Sequence, residues 1–418
     1  MNPSPEHALQ SIADPLPGIG FETQVAEVGE QLGRSLTRVV ELVPTRRRGP
    51  IALAASLGVD KVLASRLLKA LRQREPIAIA HQVPGPEPLR RLLRSATAAG
   101  VATGVVEEAG EAVDAFERLI RETVGDRSSL DALISGWLPE ARSEFELRRK
   151  QAAFKAMSEL KGVACDTNYA CSILAPGTQA RRLDLVWVFG SIGLRRLRPS
   201  VPVKFTSRRI AAADPPRHPS SIGGEPVDVH EGIAGLRLDD YCSTPPPVVR
   251  AQRMGEVVHY MLADHGFGPR SGVDLVFAEV NRDEIDRYRV HADRRTYVFA
   301  EVSIPARTLV FDILVHEDVF PGSAPDLTIY DTVLEGVASV NDRSRDADRL
   351  DMLERIEPLG RGAARFRCTE VPRSPDLIEE VFRRLDWDGD RFAGWRCRID
   401  YPVYGSQVVA SFEPPMAP

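Results

Sequence analysis

The residues best suited to chemistry lie in one short basic segment, PIALAASLGVDKVLASRLLKALR, at positions 50 to 72. A helix that begins near Asp60 would turn its outward face to solvent. That face carries Asp60, Lys61, Val62, Ser65, Arg66 and Lys69. Hydrogen-bonding side chains beside an apolar one suit the base edges and the thymine methyl group in the major groove of DNA. The segment therefore favours contact with a nucleic acid.

Two short helices joined by a tight turn would hold that face in place. The turn needs a residue that accepts a positive φ, and Gly58 supplies it. Ala54, four residues earlier, is small enough to let the two helices touch, and Val59 follows the turn directly. The inward stripe of the second helix is then Val59, Ala64, Leu67 and Leu71. These positions predict a helix-turn-helix unit.

Charge within this region supports a nucleic-acid contact. The whole chain has a net charge of −5, which excludes a protein that coats DNA through bulk positive charge. Between positions 45 and 75, however, only Asp60 and Glu75 oppose a local group of cations: Arg46, Arg47, Arg48, Lys61, Arg66, Lys69, Arg72 and Arg74. We expect Arg46, Arg47, Arg48 and Arg72 to hold phosphates, which sets register without reading sequence. Only six of the 54 basic residues are lysine, so arginine runs elsewhere carry little weight.

The segment LAASLGVDKVLASRLLKAL resembles the bihelical core of winged-helix transcriptional regulators of the isocitrate-lyase-repressor type. The resemblance covers about residues 45–85. It implies a recognition helix from Asp60 to Arg72, with base contacts from Lys61, Ser65 and Arg66. In the place of the wing stands PIAIAHQVPG, from Pro76 to Gly85, which could form a strand pair but lacks a basic tip. The rest of the chain does not resemble the effector domain of that family.

The first 161 residues have a helical pattern almost throughout. Apolar residues at spacings of three and four predict a long helix from Phe21 to Val43, which either packs on its own domain or forms a dimer seam. Further helices are predicted from Glu87 to Ala98, around Val113 to Val124 and from Pro139 to Lys161. We therefore divide the chain into a helix-turn-helix module (1–100), a helical connector (101–162) and a third domain (163–418).

Beyond Gly162 the pattern changes to short β-like runs broken by proline and glycine, which predicts a strand-rich α+β domain. These runs are CSILAPG, LDLVWVFG, VDLVFAEV, RTYVFAEVSI, RTLVFDILVH, FRCTEV and SQVVASF. Two helices are expected among them, near Ala251 to Ala263 and at Asp376 to Leu385. A long loop is expected from Ala211 to Pro247. The fold class expected for the chain is α+β and multidomain, with an all-α winged-helix-like module first.

Candidate catalytic groups in the third domain are isolated. Glu256, His259 and His265 could hold a metal on one helix, but their spacing divides the two histidines between different faces. His316 follows an apolar run, where strand ends often carry active-site groups, yet no serine or cysteine motif accompanies it. We therefore expect no metal, no cofactor and no enzymatic activity. The clustered aromatic residues of this half are expected to form a core.

These observations favour a sequence-specific DNA-binding transcriptional regulator that binds double-stranded DNA as a homodimer, with a third domain that senses a small-molecule effector or mediates assembly. Two alternatives stay open: a scaffold protein that uses the helix-turn-helix to contact another protein, and an enzyme with an unrecognised site in 163–418. Five scattered cysteines without a CxxC pair suit a reducing compartment. No apolar run suggests a signal peptide or a membrane span, so a cytoplasmic location is expected.

Overall fold

The computed structural model of the chain describes residues 18–45, 49–209, 219–263 and 266–417. Within these ranges the protein is a mixture of helix and sheet, with a helical N-terminal region and a strand-rich C-terminal part. Backbone contacts divide the chain into two compact units, Met1–Glu146 and Leu147–Pro418. The finer division into three segments stays a prediction. None of the helices in the described ranges is long and apolar enough to cross a membrane.

The first unit is helical throughout its described residues. Its helices are α1 (Gly18–Leu42), α2 (Pro50–Leu57), α3 (Lys61–Ala70), α4 (Pro76–Gln82), α5 (Pro86–Ala98), α6 (Thr103–Arg118), a π-helical turn (Leu119–Val124), α7 (Arg127–Ser135) and the start of α8 (Pro139–Lys161). Proline stands in the first turn of α2, α4 and α5, where its missing N–H costs no helical hydrogen bond. Gly162, with a φ of +67°, follows the end of α8.

Helix α1 packs against α4 and α6 of its own unit. The apolar stripe of α1 is completely buried in the single chain at Val25, Leu32, Leu36 and Val39. Of the two alternatives that the sequence leaves open, the structure shows α1 packed on its own domain. Its apolar stripe is therefore not available as a dimer seam.

Two elements expected from the sequence are replaced by others in the fold. The segment expected to form the strand pair of a wing is helix α4, so no β-wing follows α3 in the described residues. The helix expected from Ala251 to Ala263 is instead a hairpin of two strands, Val249–Met254 and Val257–Leu262, whose turn contains Gly255 at a φ of +62°. The run FRCTEV forms no strand. The helix expected at Asp376 to Leu385 is present as α9 (Ser374–Arg384).

The second unit is built on strands. They are β1 (Val163–Pro176), β2 (Arg182–Arg196), β3 (Val203–Arg209), β4 (Val249–Met254), β5 (Val257–Leu262), β6 (Val273–Asp286), β7 (Thr296–Glu301), β8 (Ala306–His316), β9 (Asp326–Asp331), β10 (Ile356–Arg361), β11 (Phe392–Asp400) and β12 (Ser406–Phe412). Short 3₁₀ turns lie at Ala234–Leu236, Asp239–Tyr241, Arg343–Asp348, Ala363–Arg365 and Gly389–Arg391.

A six-stranded sheet in the order β10-β11-β8-β1-β2-β6 forms the centre of this unit. Strands β1 and β8 run parallel and the other neighbours are antiparallel. Its faces are covered by α9, by the sheet β7-β12-β9 and by the sheet β3-β5-β4, each with its own apolar cluster. Because both faces are covered, central strands such as β8 are nearly continuous apolar runs.

The segment expected as a long loop is in part a packed element of the second unit. Residues 210–218 lie outside the described ranges. From 219 to 247 the chain has no long strand or helix, but Val229, Ile233 and Leu236 are almost completely buried in the cluster beneath β3, β5 and β6. This part of the segment is therefore a loop, as expected, but a loop that packs into the apolar core of the second unit.

Candidate nucleic-acid interface

Helices α2 and α3 meet at a tight turn that is closed by two backbone hydrogen bonds. Gly58 has a φ of +61° and a ψ of +30°, the left-handed conformation that glycine adopts without a Cβ penalty. The N–H groups of Gly58 and Val59 both donate to the carbonyl of Ala54, the second at 3.1 Å. Ala54 is buried, and Val59 packs at the edge of the same apolar cluster. The three turn residues singled out in the sequence thus lie together.

Helix α3 is fixed at its start and along one side. The Asp60 side chain caps the helix by accepting a hydrogen bond from the Val62 N–H at 2.6 Å. Four residues of α3 are buried against the rest of the unit: Leu63, Ala64, Leu67 and Ala70. The partly buried Leu71 packs against the same cluster. This packing leaves one face of α3 fully directed to solvent.

The solvent face of α3, with Arg72 just beyond its C-terminal end, carries every described residue predicted to contact DNA. Lys61, Ser65, Arg66, Lys69 and Arg72 are all exposed. At 100° per residue they span an arc of about 140°, which is one side of a helix. Val62 lies within that arc with 64% of its surface exposed, so an apolar side chain stands among the cations on this face. The remaining predicted phosphate contacts, Arg46, Arg47 and Arg48, lie outside the described residues.

The cations of this face differ from most others in the unit in having no carboxylate partner. Within the described ranges, no ion pair involves Lys61, Arg66, Lys69 or Arg72. By contrast, ion pairs to Asp or Glu are made by Arg34, Arg38, Arg90, Arg94, Arg121, Arg127 and Arg142. A cation without an internal partner can take a phosphate without first breaking a salt bridge. The unpaired positive charges on this face therefore favour binding of a polyanion such as DNA.

The candidate catalytic residues of the second unit are not gathered into a site. His316 is buried at the end of β8, where its Nδ1 accepts the Asp318 N–H at 3.2 Å and its ring packs edge-on against Phe392. His259 lies on β5, where its Nδ1 is 2.8 Å from the Ser207 hydroxyl of β3. His265 lies outside the described residues. Across those ranges no three His, Cys, Asp or Glu side chains are grouped so that they could hold a metal ion.

The four most buried thiols of the chain are held in the protonated form by their surroundings. Burial raises the pKa of Cys165 and of Cys397 to about 12, and that of Cys368 to about 11. Burial also raises the pKa of Cys171 well above its usual value. The thiolate is the reactive species, so burial lowers the reactivity of these side chains, which belong to the apolar clusters of the second unit.

No protein-family model, curated protein or solved structure matches this chain. What the exposed face of α3 does must therefore follow from its own residues and their surroundings.

Proposed function

We propose that this protein is a sequence-specific DNA-binding transcriptional regulator that inserts the exposed face of α3 into the major groove. The observation that carries the proposal is the group of unpaired cations on a helix-turn-helix whose inner side is fully packed. Lys61, Ser65 and Arg66, at the N-terminal end of α3, contact base edges, as recognition helices do with their first turns. Arg72, beyond the C-terminal end of α3, holds a phosphate.

The module has no β-wing among its described residues, so minor-groove contacts of the winged-helix type form no part of the proposal. In place of the wing, α4 supports α3 from behind, and its Ile79 and Ala80 belong to the same apolar cluster as Leu67. Specificity then rests on α3 alone. A single recognition helix covers few base pairs, so we propose that two copies of the chain bind two half-sites as a homodimer.

The experiment is a selection of duplexes from a random library, followed by affinity measurements on the selected duplex with the full chain. We expect Lys61→Gln and Arg66→Gln to reduce affinity by about tenfold or more each, since one good base contact is worth about 1–3 kcal/mol. The matched control is Arg91→Gln, which removes the same charge from an exposed and unpaired position on α5. Equal losses in all three variants, or no enriched sequence, would overturn the proposal.

One observation favours assembly as the alternative role of the second unit. The loop after β9 exposes three apolar side chains, Val333 at 69%, Leu334 at 96% and Val337 at 46%. Exposed apolar groups of this kind commonly mark a protein contact. If the protein is a scaffold, Leu334→Ser will dissociate a complex that light scattering detects in the absence of DNA. A monodisperse monomer that Leu334→Ser leaves unchanged would count against this alternative.

A further inference from the structure

A cleft of about 620 Å³ opens in the first unit beside the C-terminal end of α3. One wall is formed by the end of α3 and the residues that follow it, and the other walls are formed by α4 and by the N-terminal part of α8. The volume lies within the range of about 300–1,000 Å³ that small-molecule sites occupy. The cleft is therefore large enough for a metabolite, and it lies next to the face proposed to bind DNA.

The wall formed by the end of α3 is cationic. Lys69, Arg72 and Arg74 line it, and none of them has an ion pair within the described ranges. Of the two carboxylates that line the cleft, Glu75 follows Arg74 directly and Glu144 lies on α8, so the wall at the end of α3 carries three cations against one carboxylate. A guanidinium group without an ion-pair partner can bind a phosphate or a carboxylate through two parallel hydrogen bonds, in a bidentate geometry. The cleft thus suits a small anion bound against the end of α3.

The wall formed by α4 is held rigidly. Arg127 of α7 donates to the carbonyl oxygens of Ala80, at 3.0 Å, and of His81, and its Nε donates to Asp131 at 3.1 Å. His81 lines the cleft with 7% of its side chain exposed, and its Nδ1 lies 3.3 Å from Asp131 Oδ1. Gln73, which also lines the cleft, donates through its Nε2 to Gln82 Oε1 of α4 at 3.1 Å. A site held in this way needs little rearrangement to bind a ligand.

We propose that this cleft binds a small anion with two or more negative charges, either a phosphorylated or a polycarboxylated metabolite, and that the bound anion weakens DNA binding. The second half of the proposal rests on the proposed function. Lys69 lies on the solvent face of α3 and Arg72 lies just beyond its C-terminal end, and both of these proposed DNA contacts also line the cleft. Because a side chain that neutralises the ligand no longer neutralises a DNA phosphate, the two ligands compete for the same cations, and each lowers the affinity for the other by the same factor.

The first experiment tests the cleft by calorimetry on the full chain, with inorganic pyrophosphate and citrate as probes at constant ionic strength. The two probes distinguish a phosphate site from a carboxylate site. Ala78 lines the cleft and is half-buried on α4, where glutamate and glutamine are both accepted by a helix. We expect saturable binding of at least one probe, retention of that binding in Ala78→Gln and its loss in Ala78→Glu, which adds a negative charge at equal volume. If the wild-type chain binds neither probe, or if the two variants bind a probe equally well, the proposed anion site is wrong.

The second experiment tests the coupling on the duplex selected above. We expect the bound probe to weaken DNA binding by about 5- to 150-fold, the usual range for coupled sites, and to have no such effect on Ala78→Glu. Lys61 does not line the cleft, so Lys61→Gln should keep probe binding while it loses DNA binding.

The two experiments separate the possible failures. If the wild-type chain binds a probe but no DNA, the proposed function and the coupling are wrong while the anion site stands. If it binds both and the probe leaves DNA affinity unchanged, the coupling alone is wrong.

Discussion

Val59 donates its backbone N–H to the carbonyl of Ala54 at 3.1 Å, across a glycine that has a positive φ. This bond ends α2 and sets the direction in which α3 starts, since only Val59 and Asp60 separate Gly58 from the first residue of α3. The orientation of the proposed DNA-binding face therefore depends on a local feature of four residues, and a substitution can test it.

Replacing Gly58 with alanine should destabilise the protein by about 1–2 kcal/mol, the cost of the left-handed conformation for a residue with a Cβ. An added Cβ at this position would meet no atom within 4 Å, so crowding contributes nothing to that cost. Urea denaturation measures the change. Gly110→Ala is the control, because Gly110 lies inside α6 with equally open space and an ordinary φ. It should stabilise by about 0.5–1 kcal/mol. Equal effects in both variants would show that the turn conformation does not matter.

A second glycine tests the packing of α1 on α4. A Cβ added to Gly29 would lie 2.0 Å from the carbonyl oxygen of Pro76, far inside van der Waals contact. Because the obstacle is backbone and not a flexible side chain, Gly29→Ala should force the two helices apart. We expect the free energy of unfolding to fall by about 1–3 kcal/mol. Gly20→Ala, on the same helix with no atom within 4 Å, should be neutral or stabilising. A tolerated Gly29→Ala would contradict the close approach of α1 and α4.

Salt dependence can distinguish a phosphate contact from a base contact. Each phosphate neutralised contributes about 0.9 to the slope of log affinity against log salt concentration. Arg72→Gln should therefore reduce that slope by about 0.9 for each copy of the chain bound and weaken all DNA sequences alike. Arg91→Gln should leave the slope unchanged. Filter binding over a series of salt concentrations gives both values, and an unchanged slope in Arg72→Gln would remove Arg72 from the interface.

The helix-turn-helix could be predicted from sequence because its determinants are local. The turn needs Gly58, the cap needs Asp60, and the buried residues of α3 repeat at helical spacing. The sequence of α4 resembles that of a strand pair because the helix has only seven residues, and Ile77 and Ile79 alternate with alanines over that length as they would in a strand. Pro76, at the first helical position, is the one local signal in this segment that favours a helix.

Features that depend on distant segments could not be predicted in this way. The hairpin of β4 and β5 has apolar residues at positions that also suit a helix. This segment forms strands because β5 pairs with β3, which is distant in the sequence. The cleft beside α3 combines Lys69 with residues as far along the chain as Glu144. No local pattern relates those positions, so the cleft becomes visible only when α3, α4 and α8 are packed together.

In the second unit, the pair of Asp312 and Arg396 should carry far more stability than a surface ion pair. Arg396 donates to both carboxylate oxygens of Asp312, at 2.7 and 2.8 Å, and Asp312 is only 1% exposed. Asp312→Asn leaves a guanidinium without its counter-charge in a largely buried place, so it should cost about 3–5 kcal/mol. Arg383→Gln removes a strongly exposed partner of Glu380, which keeps its ion pair with Arg384, and should cost about 1 kcal/mol or less. Similar losses in urea denaturation would contradict the difference in burial.

Glu370 makes the stability of the second unit sensitive to acid. Burial opposes ionisation of this carboxyl group, but hydrogen bonds from Arg398, at 2.6 Å, and from the Thr369 hydroxyl, at 2.9 Å, outweigh it and lower the pKa of Glu370 to about 2. An unfolded chain has a glutamate pKa of about 4.3. The folded state therefore binds the proton less readily, and the stabilisation is complete above about pH 4.3 and is lost as the pH falls towards 2.

Glu370→Gln should remove this part of the acid dependence, so that the difference in unfolding free energy between wild type and variant shrinks as the pH falls from neutral towards 2. Denaturant titrations at a series of pH values measure it. The matched control is Glu379→Gln, because Glu379 lies exposed on α9 and takes part in no ion pair within the described ranges. That variant should keep the wild-type acid dependence. If Glu370→Gln keeps it as well, the hydrogen bonds from Arg398 and Thr369 do not favour the charged carboxylate as the geometry requires.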